Sequence, residues 1–222
     1  MGRDRTMSLK QAYAGVVRSD PKRRLNDFYA TPPIVPYILE RYTNIPHRVV
    51  EPCAGRGNIS VELKRLGHEV KSYDLFEYEN PFVDDIKTGV DALTVIRPNG
   101  YTGLITNPPY KENFPKRLLE KAVQEYDYVA LFLRLTFLEA MNRKTMFNDH
   151  TPSNILIMSD RVRFAEDLEH EPIEAKDQIG GMIAYAWFVW DKDALHDNTR
   201  MKWISLGEQY QDWRNHYEET KS

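Results

Sequence analysis

At 222 residues, 41% apolar and 28% charged with a formal net charge of −3, the chain suits one sizeable domain with a packed core. Its single cysteine, Cys53, excludes an intramolecular disulfide and a cysteine-rich zinc site. No apolar run reaches the roughly 18 residues of a membrane span, and the opening "MGRDRTMSLKQ" lacks the apolar core of a signal peptide, so a cytoplasmic protein is expected.

The chain begins with a basic arm, residues 1–25. Arg3, Arg5, Lys10, Arg18, Lys22, Arg23 and Arg24 against Asp4 and Asp20 give residues 1–24 a net charge of +5, leaving −8 on the rest. A basic arm on an acidic body is either a polyanion contact or a solvated terminus. From residue 44 onward, strand-like and helix-like stretches alternate. "HRVVEP" reads as a short apolar strand and "CAGRGN" as a turn. "ISVELKRLG" reads as a helix with Ile59, Leu63 and Leu66 on one face and Gly67 as its stop. "HEVKSYD" and "YTGLITN" are the next strands. "FPKRLLEKAVQEY" is a helix with Pro115 in its first turn. "YDYVALFLRL", "SNILIMSD" and "MIAYAWFVWD" complete the strands. Residues 135–153 read as a helix plus a loop, and 159–181 as a long polar loop. The tail after Asp191 holds Trp203, Tyr210, Trp213 and Tyr217 and is expected to pack against the body. Strands alternating with helices predict a mostly parallel α/β sheet, and the last two strands, with no helix between them, an antiparallel pair at its edge.

Three features carry chemistry. The first is "EPCAGRGN", between the first strand and the first helix, where open α/β sheets bind ligands. Gly55 and Gly57 allow close backbone approach, but the turn lacks the third glycine of a dinucleotide fingerprint and the Gly-Lys-Ser/Thr of a phosphate loop. The second is a series of acids. Asp74 closes the second strand about twenty residues after the turn, where a carboxylate accepts ribose hydroxyls. Further on, "PFVDDIKTG" pairs Asp85 with the apolar Ile86, a set suited to an adenine ring. The third is "LITNPPYKENF", in which Asn107, Pro108, Pro109 and Tyr110 follow an apolar strand. Two prolines there form a stiff platform with a polar amide on one side and an aromatic face on the other. The six histidines lack metal-ligand spacing, and no metal is expected.

On these motifs the chain resembles the class I S-adenosylmethionine-dependent methyltransferases, and more narrowly the small phage- and prophage-type enzymes that make N6-methyladenine in DNA. "DFYATPP" is similar to the family segment that contacts the methionine end of the cofactor. "EPCAGRGN" is similar to its cofactor loop, "NPPY" to its catalytic motif and "AYAWFVW" to a late strand. The resemblance covers about Asn26 to Asp191. It implies a Rossmann-like, mostly parallel seven-stranded sheet with helices on both faces and an antiparallel edge pair, within a single domain over residues 26–222 that lacks a large target-recognition domain. It implies S-adenosyl-L-methionine held by Tyr29, Thr31, Pro32, Glu51, Pro52, Ala54, Gly55, Gly57, Asp74, Leu75, Asp85, Ile86 and Asn107. Asn107, Pro108, Pro109 and Tyr110 are then the catalytic residues, in the cytoplasm of a bacterial or phage-infected cell.

The implied chemistry explains the platform. An exocyclic amino group is a poor nucleophile because its lone pair is delocalised into the ring. The Asn107 side-chain oxygen and the Pro108 carbonyl can accept its two hydrogens, while Tyr110 offers a stacking face. The expected substrate is DNA. Lys111, Lys116, Arg117, Arg143, Lys144, Arg161, Arg163 and the arm are candidate phosphate contacts. Phe137 and Phe164 are candidates for stacking or for core packing. The same motif serves RNA adenine and protein glutamine methyltransferases, and a partner subunit that keeps the fold is a non-enzymatic alternative.

Overall fold

The structure, a computed structural model, describes residues 30–79, 81–139, 143–162, 164, 183–195 and 198–220. The arm over 1–25, Tyr29, Arg163 and most of the 159–181 stretch lie outside the described residues.

The first described element is α1 (Ile34–Tyr42), which the sequence pattern does not announce. Pro32, Pro33 and Pro36 argue against a helix interior. All three sit at or before the first turn, where no intrahelical N–H is required and a fixed φ favours the helix. The Pro32 carbonyl accepts the Val35 N–H at 3.0 Å, and Ile34, Val35, Ile38 and Leu39 are fully buried. The expected alternation follows as β1 (Arg48–Glu51), α2 (Asn58–Arg65), β2 (Glu69–Ser72), β3 (Gly103–Thr106), α3 (Phe114–Glu125) and β4 (Tyr128–Arg134). Residues 135–149 form a short 3₁₀ turn, Leu135–Leu138, and α4 (Arg143–Asp149). Then come β5 (Asn154–Met158), β6 (Tyr185–Asp191), β7 (Arg200–Ile204) and α5 (Leu206–Thr220).

The strands form one seven-stranded sheet in the order β2-β1-β3-β4-β6-β5-β7. Its β2, β1, β3 and β4 are parallel. Strand β6 runs antiparallel to both β4 and β5. The expected antiparallel pair is therefore β5–β6, and β7, parallel to β5, forms the outermost edge beyond it.

Helices cover both faces, as burial of a central β3–β4–β6 core requires. On one face α1, α2 and α5 pack with Val49, Ile105, Phe132 and Trp187; on the other, α3 and α4 pack with Leu104, Leu131 and Phe188. Two indoles lock the first layer. Trp187 Nε1 donates to the Val35 carbonyl at 2.9 Å, fixing α1 on the sheet. Trp213 Nε1 donates to Glu62 Oε1 at 3.0 Å, fixing α5 on α2, and Arg65 holds the other Glu62 oxygen at 2.6 Å. Trp213 is fully buried, so its truncation to alanine would cost about 3–5 kcal/mol.

Strand β1 lies between β2 and β3, so the chain leaves it to one side and returns on the other. The carboxyl ends of β1 and β3 thus diverge at the topological switch point, where a crevice opens.

Candidate active site

A cleft opens at this point, with about 700 Å³ of empty space including solvent at its mouth. Of the residues expected to bind cofactor, Thr31, Glu51, Pro52, Ala54, Asp74, Leu75 and Asn107 line it, and so does Pro109 of the platform.

The floor comes from β1 and the turn after it. Gly55 and Gly57 both have positive φ (57° and 87°), which reverses the chain into α2. A Cβ on Gly57 would meet Val83 Cγ2 at 2.5 Å, so the turn is closed from outside by the loop after β2. Asp74 caps the turn: its Oδ2 accepts the Gly55 N–H at 2.7 Å and its Oδ1 the Phe76 N–H at 2.8 Å. A carboxylate has about four acceptor sites, so these two bonds leave capacity for a ligand hydroxyl. Burial raises the Asp74 pKa, and the Phe76 and Gly55 N–H groups partly offset it.

Two more groups are buried beneath the turn. Glu51 is 1% exposed and accepts a short hydrogen bond from Ser60, which is 2.7 Å from the Ser72 hydroxyl. Burial pushes the Glu51 carboxyl well above its usual range, against the opposing bond from Ser60. Asn58, in the first turn of α2, is 3% exposed and lines the cleft, and its Nδ2 has no hydrogen-bond partner among the described residues. A buried amide donor left unpaired costs about 1–3 kcal/mol. Beside a helix N-terminus it suits an anionic acceptor on a ligand.

The wall comes from β3. The Thr106 hydroxyl reaches the Cys53 carbonyl at 3.4 Å, tying the two strand ends together. Asn107 Nδ2 donates to the Thr31 hydroxyl at 3.0 Å. In this orientation the amide places Nδ2, not Oδ1, against Thr31. Pro108 is buried, and Pro109 faces the cleft. Tyr110 does not line the cleft, and its hydroxyl accepts the Arg134 N–H at 3.0 Å. After it, Glu112 and Asn113 adopt left-handed φ values of 52° and 57°, uncommon for residues other than glycine. The bend returns Phe114 to the cleft.

The structure separates the acids expected to act together. Asp85 pairs with Lys64 at 2.6 Å, with its side chain 61% exposed, and does not line the cleft; Ile86 packs toward Gly57. Asp91 and Ala92 line the cleft instead. Asp91 caps the short turn Ala92–Thr94 by accepting the Leu93 N–H at 2.9 Å. An acid followed by an apolar residue was the available signal, and it occurs at both places. Phe76, Tyr78 and Phe114 add aromatic walls that the sequence pattern does not single out. Pro32, Gly55, Gly57, Pro108 and Tyr110 shape the site without lining the cleft.

Phe137 and Phe164 resolve as packing residues. Phe137 is 2% exposed, and the Phe164 ring packs tilted at 58° with its centre 4.8 Å from that of Tyr185. Arg143 is engaged with the Phe137 ring and carbonyl, and Lys116 with Glu120. Lys111, Arg117, Lys144 and Arg161 are exposed. Among the described residues no group of His, Cys, Asp or Glu can hold a metal ion, and no helix is long and apolar enough to cross a membrane.

No protein-family model and no curated protein matches the sequence. Solved structures do match the fold. A protein described as a class I S-adenosylmethionine-dependent methyltransferase from Listeria monocytogenes superposes with a TM-score of 0.53 at 8% identity, over 82% of this chain and 69% of that one. A Pyrococcus horikoshii protein described as an RNA methyltransferase gives 0.51 at 16% identity, over 84% of this chain and 99% of that one. The chain therefore has the Rossmann-like fold of the class I S-adenosylmethionine-dependent methyltransferases.

Proposed function

We propose that the chain is a methyltransferase that uses S-adenosyl-L-methionine to methylate the exocyclic N6 amino group of adenine in DNA. The observation that carries this is the meeting of Asn107 with Thr31 in the lining of a cleft that Asp74 and Asp91 also line.

The residues present fit the cofactor. Asp74 offers acceptors to ribose hydroxyls, and Asp91 an acceptor to an adenine amino group, with Leu75, Phe76, Ala92 and Phe114 as apolar walls for the ring. Glu51 is placed for an ammonium group, and the unpaired Asn58 Nδ2 beside the α2 N-terminus for a carboxylate. When bound, S-adenosyl-L-methionine supplies an electrophilic methyl group.

The catalytic work of the chain lies in Asn107 to Tyr110. The Asn107 amide nitrogen donates to Thr31, and its oxygen is the acceptor offered to a substrate amino group. The Pro108 carbonyl accepts the second amino hydrogen. Two fixed acceptors draw the nitrogen toward tetrahedral geometry and localise its lone pair, a pre-organised electrostatic contribution. Tyr110 supplies the stacking face for the base. A duplex substrate must be flipped, at a cost of a few kcal/mol. Lys111, Arg117, Lys144, Arg161 and the arm over 1–25 supply phosphate contacts, and residues 26–222 act as one catalytic domain.

The test is transfer of labelled methyl to unmethylated DNA, total RNA and protein extract in parallel, with nucleoside analysis of the product. N6-methyladenine in DNA is the expected result. Label confined to RNA or to protein glutamine would replace the substrate, and no label in any of the three would count against the enzymatic reading.

A further inference from the structure

The outermost strand, β7, carries an aromatic surface that the proposed chemistry does not use. Trp203 is 64% exposed and Met201 49%. Trp187, Trp190 and Trp213 are buried, so Trp203 is the one exposed indole of the four in the chain.

The strand register places this indole. Trp203 pairs with Ile157 of β5, Ile157 with Ala186 of β6, and Ala186 with Leu133 of β4. Leu133 lies two residues beyond Leu131, which pairs with Thr106 at the end of β3. Trp203 is therefore level with the start of the Asn-Pro-Pro-Tyr motif, at the same end of the sheet. Residues paired in register share a face, and Ile157, Ala186 and Leu133 belong to the buried α3/α4 face. Trp203 is the uncovered end of that row. Four strand intervals separate β7 from β3. At roughly 4.8 Å each they span about 19 Å, the rise of five or six stacked nucleotides at about 3.4 Å per step.

Charge decides what fits there. Strand β7 contains Arg200 and Lys202, both exposed, and no acid. Lys202 Nζ lies 4.0 Å from the centre of the Tyr42 ring on the other face of the sheet. The Arg200 N–H donates to the Ser153 carbonyl, and the Ile204 carbonyl accepts the Ser159 N–H. Alternate residues therefore face β5, and Met201 and Trp203 turn their backbone groups to the open edge. A second copy of the chain is disfavoured on that edge. The two-fold register that sets Met201 against Trp203 of the other copy also sets Lys202 against its own equivalent, like charge against like. A polyanion with flat rings suits it instead, since a base stacks on the indole while cations attract phosphates.

We infer that the β7 edge is a second DNA contact surface, on which Trp203 stacks a base five or six nucleotides from the target adenine and Arg200 and Lys202 face the phosphates. The inference rests on the DNA substrate proposed above. It gives a chain without a large target-recognition domain a hold on the substrate outside the cleft.

The test uses labelled DNA oligonucleotides, single-stranded and duplex, either too short to reach β7 from the cleft or long enough to pass it. Affinity is read by fluorescence anisotropy, which needs no turnover. Wild type should bind the long form more tightly than the short, and the long form should shield Trp203, the acrylamide-accessible indole, from quenching. Trp203→Ala should weaken long-form binding about tenfold and leave short-form binding, cofactor affinity and melting temperature unchanged. Trp203→Phe should recover part of the loss. Arg200→Gln and Lys202→Gln should each reduce the salt slope of long-form binding by about one. Equal long-form affinity in wild type and Trp203→Ala would overturn the inference. A wild-type dimer that Trp203→Ala converts to monomer would also overturn it, by assigning the edge to self-pairing. Methylation of DNA adenine by a chain whose DNA affinity ignores Trp203 defeats this inference alone. Trp203-dependent DNA binding without methyl transfer supports the contact surface and defeats the catalytic reading.

Discussion

Asn107 and Thr31, 76 residues apart in sequence, meet through a 3.0 Å hydrogen bond in which the Asn107 amide nitrogen donates to the Thr31 hydroxyl. Thr31 is 4% exposed and precedes the two prolines that open α1, so its position is set by the docking of that helix. Removing the hydroxyl deprives the partly buried amide of that partner. Thr31→Val should therefore lower the single-turnover rate of methyl transfer about tenfold, the equivalent of one hydrogen bond to a neutral group. A rate within twofold of wild type would show that the amide is oriented by something else.

Asp85 and Asp91 offer a contrast within one loop. Asp85 is an exposed partner of Lys64, whereas Asp91 lines the cleft. Asp91→Ala should weaken cofactor affinity about tenfold by calorimetry, and Asp85→Ala should leave it within twofold, because an exposed ion pair contributes little. The reverse ranking would return the adenine contact to Asp85.

This contrast marks the limit of what the sequence discloses. Six of the seven strands, α2 and α3 follow from periodicity, glycine stops and one first-turn proline. The glycine turn, Asp74 and Asn107 also fall where a strand-to-helix reading puts them. The second acid that lines the cleft, Asp91, does not, because two acid-then-apolar pairs compete and a long-range pairing decides which of them faces the cleft. Tyr73 bridges to Lys87, and the Val90 N–H returns to the Asp74 carbonyl at 3.0 Å. The chain is thereby brought back to the end of β2, which carries Asp91 inward and leaves Asp85 outside. Strand β7 was hidden for a different reason: four of its five residues are exposed, including two basic ones, so it lacks the apolar alternation of a half-buried strand. Helix α1 was masked by its prolines. Nothing local in the sequence marks Arg134 as the partner of Tyr110, because that contact is made between strand ends.

Gly57 is the position where the turn tolerates no side chain. Its φ is 87°, and a Cβ would lie 2.5 Å from Val83 Cγ2. Gly57→Ala should destabilise the protein by about 2 kcal/mol, a Tm loss of roughly 4–8 °C. An unchanged melting temperature would mean that the loop carrying Val83 yields without cost.

The buried Glu51 carboxyl gives a pH dependence with a definite sign. Its folded pKa is raised by burial, so folding favours the protonated form. Below the ordinary glutamate range both folded and unfolded chains hold the proton, and the favourable contribution is fully present. As pH rises above that range the unfolded chain ionises first, and the contribution is lost until the raised folded pKa is reached. Asp74 is shifted in the same direction and adds to the slope. Ligand-free protein should melt at progressively lower temperature as pH rises from about 5. Glu51→Gln should flatten that slope, and a ligand that places a cation beside Glu51 should offset it. A wild-type slope retained in Glu51→Gln would assign the effect to other groups.

The most direct measurement of the central claim compares wild type with Asn107→Ala in single-turnover methyl transfer to adenine, with cofactor affinity measured calorimetrically on both proteins. The account predicts a rate loss of about 100-fold or more, as expected when a fixed acceptor is removed from the reacting amino group, with cofactor affinity changed by less than about fivefold. A variant that transfers methyl within a few-fold of the wild-type rate would contradict the role assigned to Asn107, and with it the chemistry proposed for the platform.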